Sequence, residues 1–243
     1  MRPPLARLLL PLLLSVAATA QSVALPAGTG HLTPGPGWVT LDADAIAAPD
    51  RPSDPREEPA KALFLATIAA LQQPERKGQH VLLHAPGDTP GSLRLVNAYC
   101  AAGAGTAADL QRPEKVAEIR DALQAELQNG GHEVTFDGED HPDLFAVGCV
   151  RLRFTIREGS AARRLHHHVV PAGSLVQYFD AVLQPDDAGG EAAVATLLRT
   201  FDGARDGSSL PGMLIGGIAG ALAGVLAGLW RRNRLQRQAQ ANG

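Results

Sequence analysis

The stretch FAVGCVRLRFTIREGSAARRLHHHVVPAGSLVQYFDAVL, residues 145–183, decides the fold class of this 243-residue chain. Its β-branched and aromatic residues come in runs, and turn signals that contain Gly separate the runs. We predict three consecutive strands here, at residues 145–156, 163–170 and 174–183, after a shorter strand at 133–136. Because strands in runs, without strict alternation with helices, favour antiparallel pairing, the predicted fold is an α+β domain with an antiparallel sheet flanked by helices.

Amphipathic helices are predicted on both sides of this stretch, at residues 60–73, 112–129 and 188–201. In the clearest of them, 112–129, apolar residues recur with the helical period of 3.6 and charged residues occupy the opposite face. Three more strands, bounded by Gly and Pro turn signals, are predicted at residues 37–41, 80–84 and 92–100.

The folded domain is therefore predicted to span residues 37–203. Residues 21–36, rich in Gly, Pro and Thr, are expected to form a flexible or extended lead-in, and residues 204–210 a short linker.

The N-terminus has the pattern of a signal peptide. Arg2 and Arg7 provide the positive charge, residues 8–16 form an apolar run, and Ala18-Thr19-Ala20 is a small-residue cleavage site. Residues 1–20 are accordingly predicted to be a leader that is removed on export. The alternatives are an uncleaved anchor or a buried first helix, which the short apolar run and the prolines disfavour.

Residues 211–230 are predicted to span a membrane, because they carry no charge over a length of about 30 Å in a helix. The tail at 231–243 begins with arginines, which mark the cytoplasmic side of a membrane helix. The predicted location is thus a single-pass membrane protein whose N-terminal domain is periplasmic or extracellular. Two alternatives remain open: a Gly- and Ala-rich helix within a soluble core, and a sorting tail that a protease cuts after export.

Glycine recurs at every fourth position of the predicted membrane helix. Such a glycine zipper lets a second helix approach closely, as in G-x-x-x-G dimers. The pattern predicts a homo-oligomer that associates through Gly212, Gly216, Gly220, Gly224 and Gly228.

Residues 21–209 hold all 25 acidic residues and 16 of the 22 basic residues, a net charge of −9. Nucleic acids and anionic lipid surfaces attract positive charge, so a nucleic-acid partner is not expected.

Cys100 and Cys149, the two cysteines of the chain, fall on predicted strands. An even cysteine count in an exported domain permits a disulfide. Two buried thiols that act as small apolar groups are the equal alternative.

Two groups of side chains are candidates for metal ligation. On a strand, the run His166-His167-His168 would direct only His166 and His168 to the same side. A predicted acidic loop offers oxygen ligands, although without the spacing of an EF-hand. This loop contains Asp137, Glu139, Asp140, His141 and Asp143. A polar strand and a solvated turn are the simpler interpretation, and no cofactor is assigned.

The predicted domain resembles the Mog1/PsbP-like family of α/β/α sandwiches over residues 37–203. The resemblance lies in the order of elements and in four local patterns, Gly35-Pro36-Gly37-Trp38, residues 146–152, residues 170–174 and residues 193–201. Members of that family are mainly binding or assembly modules, including an oxygen-evolving photosystem subunit and a partner of a small GTPase. The resemblance implies the general role of a binding module, and no sequence motif here identifies either partner.

No nucleophile or phosphate-binding motif of the G-x-S-x-G, H-E-x-x-H or G-x-x-x-x-G-K-[ST] type is present in the sequence. The first functional hypothesis is therefore a membrane-anchored, non-enzymatic module for protein interaction or envelope assembly, with an unknown envelope protein as partner. The alternatives are a periplasmic domain that binds a metal or small ligand, and an enzyme without a recognisable motif.

Overall fold

The computed structural model describes residues 21–41, 80–90, 92–102, 106–129, 132–158 and 161–207. Its strands are β1 Val23–Ala24, β2 His31–Leu32, β3 Val39–Leu41, β4 His80–Pro86, β5 Leu93–Ala102, β6 Glu133–Asp140, β7 Val150–Glu158, β8 Ala161–Ala172 and β9 Leu175–Leu183. Its α-helices are α1 Pro113–Asn129 and α2 Gly190–Leu198.

Seven of these strands form one antiparallel sheet, in the order β3-β4-β5-β9-β8-β7-β6. Helix α1 follows β5, and the chain then returns through β6, β7 and β8 to β9, which pairs with β5. These elements form an α+β fold with an antiparallel sheet, as the sequence predicts.

Of the two described α-helices, one packs on each face of the sheet, and strand β9 shows how the faces divide. Val176 and Tyr178 pack with α1, whereas Phe179, Ala181 and Leu183 pack with α2. Helix α1 contributes a stripe spaced by three and four residues, namely Val116, Ile119, Leu123 and Leu127. Full burial of each such side chain stabilises the fold by about 1.5–3 kcal/mol.

Residues 23–32, within the predicted lead-in, form the β1–β2 hairpin instead of a free segment. Leu25 and Leu32 are buried in the cluster that contains α2, which explains why this segment is ordered. The hairpin also meets the chain after α2: the His31 N–H donates to Asp202 Oδ1 at 2.6 Å, and the Asp202 N–H donates to the His31 carbonyl at 3.2 Å. We call these contacts between residues 29–33 and 200–203 the latch.

Two predicted strands have different bounds in the structure. Strand β6 continues to Asp140 rather than ending at Phe136, because a bulge at Gly138 lets it stay paired with β7. Strand β7 begins at Val150 rather than at Phe145, because residues 141–149 form a loop. The Phe145 ring stacks on Phe179 at 6.0 Å and so holds this loop against the sheet.

The predicted helix at 60–73, the leader at 1–20 and the predicted membrane helix at 211–230 lie outside the residues that the structure describes. Among the helices that it does describe, none is long and apolar enough to cross a membrane.

Candidate functional site

The histidine run lies on β8, near the middle of the sheet, and alternation divides it between the two faces. His167 lies on the α1 face with Leu165 and Val169, whereas His166 and His168 lie on the α2 face with Val170. Each imidazole is at most 3% exposed. The three consecutive histidines therefore lie in two separate environments in the fold.

On the α1 face, three polar residues occupy one row across three neighbouring strands. Asn97 of β5 is the register partner of Asp180 of β9, and Asp180 is the register partner of His167 of β8. Tyr99 and Tyr178 form the next row, with ring centroids 5.1 Å apart. We call these five residues the inner cluster.

The tightest contact of the inner cluster joins His167 Nδ1 to Asp180 Oδ1 at 2.6 Å. Since a carboxylate accepts, Nδ1 carries the proton and donates it to Asp180, which leaves Nε2 as an acceptor when the ring is neutral. The His167 ring also stacks on Tyr178, with centroids 5.4 Å apart. The neighbouring strand β4 adds His80, whose Nδ1 lies 3.1 Å from Asn97 Oδ1.

Burial shapes the chemistry of this cluster. Desolvation raises the pKa of Tyr99 well above its usual value, and the nearby Asp180 carboxylate raises it further. Tyr178 also has a raised pKa, again mainly because it is buried. Both phenols therefore stay protonated at neutral pH.

In the described protein, two buried atoms of the inner cluster have no hydrogen-bond partner, namely Asn97 Nδ2 and His167 Nε2, whereas the Tyr99 hydroxyl interacts with the Asp180 carboxylate. Each unpaired buried polar atom costs about 1–3 kcal/mol. Groups that a fold retains at such a cost are candidates for function or for conformational specificity. His167 is 0% and Asp180 1% exposed, so a substrate reaches these two side chains only if the residues that cover them move.

On the α2 face, His166 and His168 lie among arginines. Burial lowers the pKa of His166 to about 4, and the pKa of His168 to about 3. The charges of His166 and Arg151 lower the pKa of His168 further. The His168 Nδ1–H donates to the Phe179 carbonyl at 3.3 Å. Both rings are neutral at pH 7, as metal ligands must be, but the adjacent guanidinium groups repel a cation.

The arginines of this face are themselves paired. Arg151 donates to both carboxylate oxygens of Asp140, at 2.8 and 2.6 Å, and this contact lowers the pKa of Asp140. Arg164 donates to Glu191 of α2 at 3.0 Å. These pairs connect β6 to β7, and β8 to α2, so their first role is to hold the outer strands and the helix together.

The five acidic-loop candidates were expected to share a loop, and this expectation is wrong for three of them, whereas His141 and Asp143 lie in the loop at 141–149. Asp137, Glu139 and Asp140 belong to strand β6. Asp137 accepts from the Thr155 hydroxyl at 2.8 Å, whereas Glu139 is paired in register with Leu152, on the other face of the sheet. His141 Nδ1 donates to the Cys149 carbonyl at 3.0 Å. The pairing of β6 with β7 places the Glu139 side chain on the opposite face of the sheet from Asp137.

Across the described ranges, no three or more His, Cys, Asp or Glu side chains are arranged to hold a metal ion. The metal-ligand candidates are close together in the sequence, but neighbouring side chains on a strand point to opposite faces of the sheet.

Both cysteines are free thiols, so the structure contains no bond between them. Cys100 Sγ lies 3.7 Å from the Pro26 carbonyl oxygen, and Cys149 Sγ lies 3.4 Å from that of Pro142. Burial raises the pKa of Cys149 to about 12. A thiol that stays protonated is a poor nucleophile and acts here as a small apolar group.

Sequence reasoning missed an ion-pair cluster at the β4–β5 turn. Arg94 donates to both oxygens of Asp187, at 2.7 and 2.6 Å, and the Asp187 side chain is 1% exposed. The Gly189 N–H donates to Asp88 Oδ2 at 2.7 Å. These contacts tie the β4–β5 turn to the start of α2. Arg94 and Asp187 are 93 residues apart in the chain, so no local pattern predicts the pair.

No protein-family model matches the chain, and no curated protein matches it. A crystal structure from Bacteroides thetaiotaomicron is similar over 77% of this chain and 49% of its own, with 11% identity and a TM-score of 0.39. A protein of unknown function from Pseudomonas aeruginosa is similar over 49% of this chain and 78% of its own, with 14% identity and a TM-score of 0.36. The chain thus spans about half the length of the first of these, and neither similarity identifies a function.

Proposed function

We propose that this protein displays its α+β domain on the outer side of a membrane, anchored by residues 211–230, for interaction with another envelope protein. The observation that carries the proposal is the latch. The first strands of the fold and the chain that leaves it after α2 meet at one end of the sheet, through His31 and Asp202. The opposite end is therefore free to point away from an anchor.

The chain leaves the fold at this same end. The Gly173 N–H, in the β8–β9 turn, donates to the Arg205 carbonyl at 3.0 Å, and the Ala107 N–H donates to Asp206 Oδ1 at 2.8 Å. The predicted linker starts here. The β4–β5 turn lies at the other end, where β5 begins and β9 ends. The first turn of α2 lies there too, because the Gly189 N–H donates to Asp88 of that turn.

The start of the fold also suits removal of a leader. Strand β1 begins at Val23, just after the predicted cleavage site at Ala20, so no described strand would be cut. The antiparallel sheet with a helix on each face is in keeping with the binding modules of the Mog1/PsbP-like family, and membership of that family remains part of this proposal.

A labelling experiment tests the topology. Full-length Thr89→Cys, at the β4–β5 turn, and Gln238→Cys, in the predicted cytoplasmic tail, are treated in intact spheroplasts with a maleimide that does not cross membranes. We expect labelling of the Thr89 variant at once and of the Gln238 variant only after permeabilisation. The unsubstituted protein measures the background from its two native thiols. Immediate labelling of both variants, or the reverse order, would contradict the proposal.

Self-association through the glycine zipper is a further part of the proposal. The paired change Gly220→Ile and Gly224→Ile is expected to abolish crosslinking between full-length copies in the membrane, because the larger side chains keep the helices apart. Leu222→Ile and Leu226→Ile, off the glycine positions, are the matched control. Unchanged crosslinking in the glycine variant rejects association through this face.

The inner cluster favours a second candidate function, the binding of a small polar ligand beneath α1. Its unpaired donor, Asn97 Nδ2, and unpaired acceptor, His167 Nε2, lie in one row on the same face of the sheet and suit a molecule that both accepts and donates. Native and denaturing mass spectra of the purified full-length protein test it. A mass that is lost on denaturation, and that Asp180→Asn removes, supports the candidate, and equal masses in both spectra reject it.

A further inference from the structure

Strand β6 lies at one edge of the seven-stranded sheet. It runs for eight residues, whereas β3 at the opposite edge has three residues in the described part of the chain. Within the described parts of the chain, β7 is the only strand that pairs with β6. An edge strand of this length presents a row of backbone N–H and C=O groups that can pair with another strand.

The side chains of β6 alternate between two chemistries. Val134 and Phe136 are half-buried and pack on the core beneath α1, where Arg120 lies over the Phe136 ring at 5.4 Å. On the other face, Glu133 is 71% exposed at its side chain, with its Oε1 3.7 Å from an Arg157 nitrogen, and the exposed Asp137 accepts from the Thr155 hydroxyl. Strand β6 therefore presents apolar side chains on one face and acidic side chains on the other.

We infer that β6 is the docking edge for an extended segment of a partner protein in which apolar and basic side chains alternate. This inference rests on the proposed function and specifies the partner that it leaves open. The segment would add as a further strand, with its apolar residues over Val134 and Phe136 and its Lys or Arg residues beside Glu133 and Asp137.

The same charges select against a second copy of this strand. Antiparallel pairing of β6 with itself places acidic side chains near one another, and like charges across strands destabilise a pair. The bulge at Gly138 bends the strand and interrupts regular pairing, so the segment 133–137 is the part best suited to dock a partner. Acidic residues and a bulge together allow one class of partner and disfavour self-assembly.

The probe is a nine-residue peptide of alternating Lys and Val, titrated against the purified full-length protein in detergent. Two peptides serve as controls: one with the same composition in two blocks, and one of alternating Glu and Val. We expect the alternating Lys peptide to bind most tightly and to slow hydrogen exchange selectively in residues 133–137. Equal affinity for the block peptide, or protection elsewhere in the domain, overturns the inference.

Charge reversal provides the second test. The double variant Glu133→Lys with Asp137→Lys is expected to lose roughly tenfold in affinity for the Lys peptide and to gain affinity for the Glu peptide. Glu114→Lys with Glu118→Lys, at exposed positions of α1, is the matched control, because it makes the same change in net charge and leaves the edge unaltered. The gain for the Glu peptide separates a lost contact from a misfolded variant. Similar losses in the control and in the edge variant mean non-specific attraction and reject the inference.

The outcomes separate the two proposals. Peptide binding by purified protein does not depend on which side of the membrane the domain occupies. Reversed labelling at Thr89 and Gln238 with selective peptide binding would reject the topology alone. Correct labelling without peptide binding would reject the docking edge alone.

Discussion

His167 and Asp180, on adjacent central strands, form a contact of 2.6 Å between two side chains that are 0% and 1% exposed. Loss of either partner leaves the other buried and uncompensated, which costs about 3–5 kcal/mol in such pairs. We expect His167→Leu and Asp180→Leu each to lower the free energy of unfolding of the full-length protein in detergent by about that amount.

The double variant decides whether this loss comes from the pair. With both residues changed to Leu, no unpaired charge stays behind, so the loss is expected to be smaller than the sum of the two single losses. Additive losses would show that the two side chains stabilise the fold independently, contrary to the contact.

Acidification is predicted to destabilise the fold through the histidines of the α2 face. The pKa of His166 is about 4 in the fold and 6.5 in its ordinary state, so the unfolded chain binds protons more readily between these values. The stabilisation is fully present above about pH 6.5 and is lost as the pH falls towards 4. Arg151, Arg153 and Arg164 add to the effect by repelling a proton, and Glu191 opposes it.

For His166 the pH-dependent part is roughly 3 kcal/mol. Unfolding measured at intervals from pH 8 to pH 4 is expected to show this decline, and His166→Gln, which does not titrate, is expected to flatten it. An identical slope in the protein and in the His166 variant contradicts the prediction.

The latch depends on close contact between two backbones. A Cβ at Gly203 would overlap the Thr29 carbonyl and the Phe201 ring. Gly203→Ala is therefore expected to cost about 1–3 kcal/mol or more and to make residues 21–36 accessible to protease. At Gly35 an added Cβ meets nothing within 4 Å, so Gly35→Ala should leave stability nearly unchanged. Equal protease resistance in both variants would mean that the latch is not tight.

Burial distinguishes two Arg–Asp ion pairs of this fold. Arg94 contacts Asp187, whose side chain is 1% exposed, whereas the side chain of Arg112 is 58% exposed beside Asp109. Arg94→Met leaves a buried carboxylate uncompensated and is expected to cost about 3–5 kcal/mol. Arg112→Met is expected to cost no more than about 1 kcal/mol. Thermal unfolding of both variants checks the difference, and similar midpoints would contradict it.

The sequence alone determined most of the regular structure that is described. The apolar period of α1, the β-branched runs of β7, β8 and β9, and the turn signals between them are local properties, so they predict strands and helices without knowledge of the fold. Alternation along a strand likewise separated His167 from His166 and His168. The leader, the membrane helix and its glycine zipper stay predictions, because they lie outside the described residues.

Only the tertiary structure decided which distant residues meet. Asn97, Asp180 and His167 form one row because β5, β9 and β8 pair in a particular register, and register depends on the packing of both faces. The order of strands likewise placed β6 at an edge, where its acidic residues flank an open row of backbone groups rather than forming a loop. The lead-in is ordered because Leu25 and Leu32 are buried in the core, and this burial of apolar surface offsets the entropy cost of ordering the hairpin.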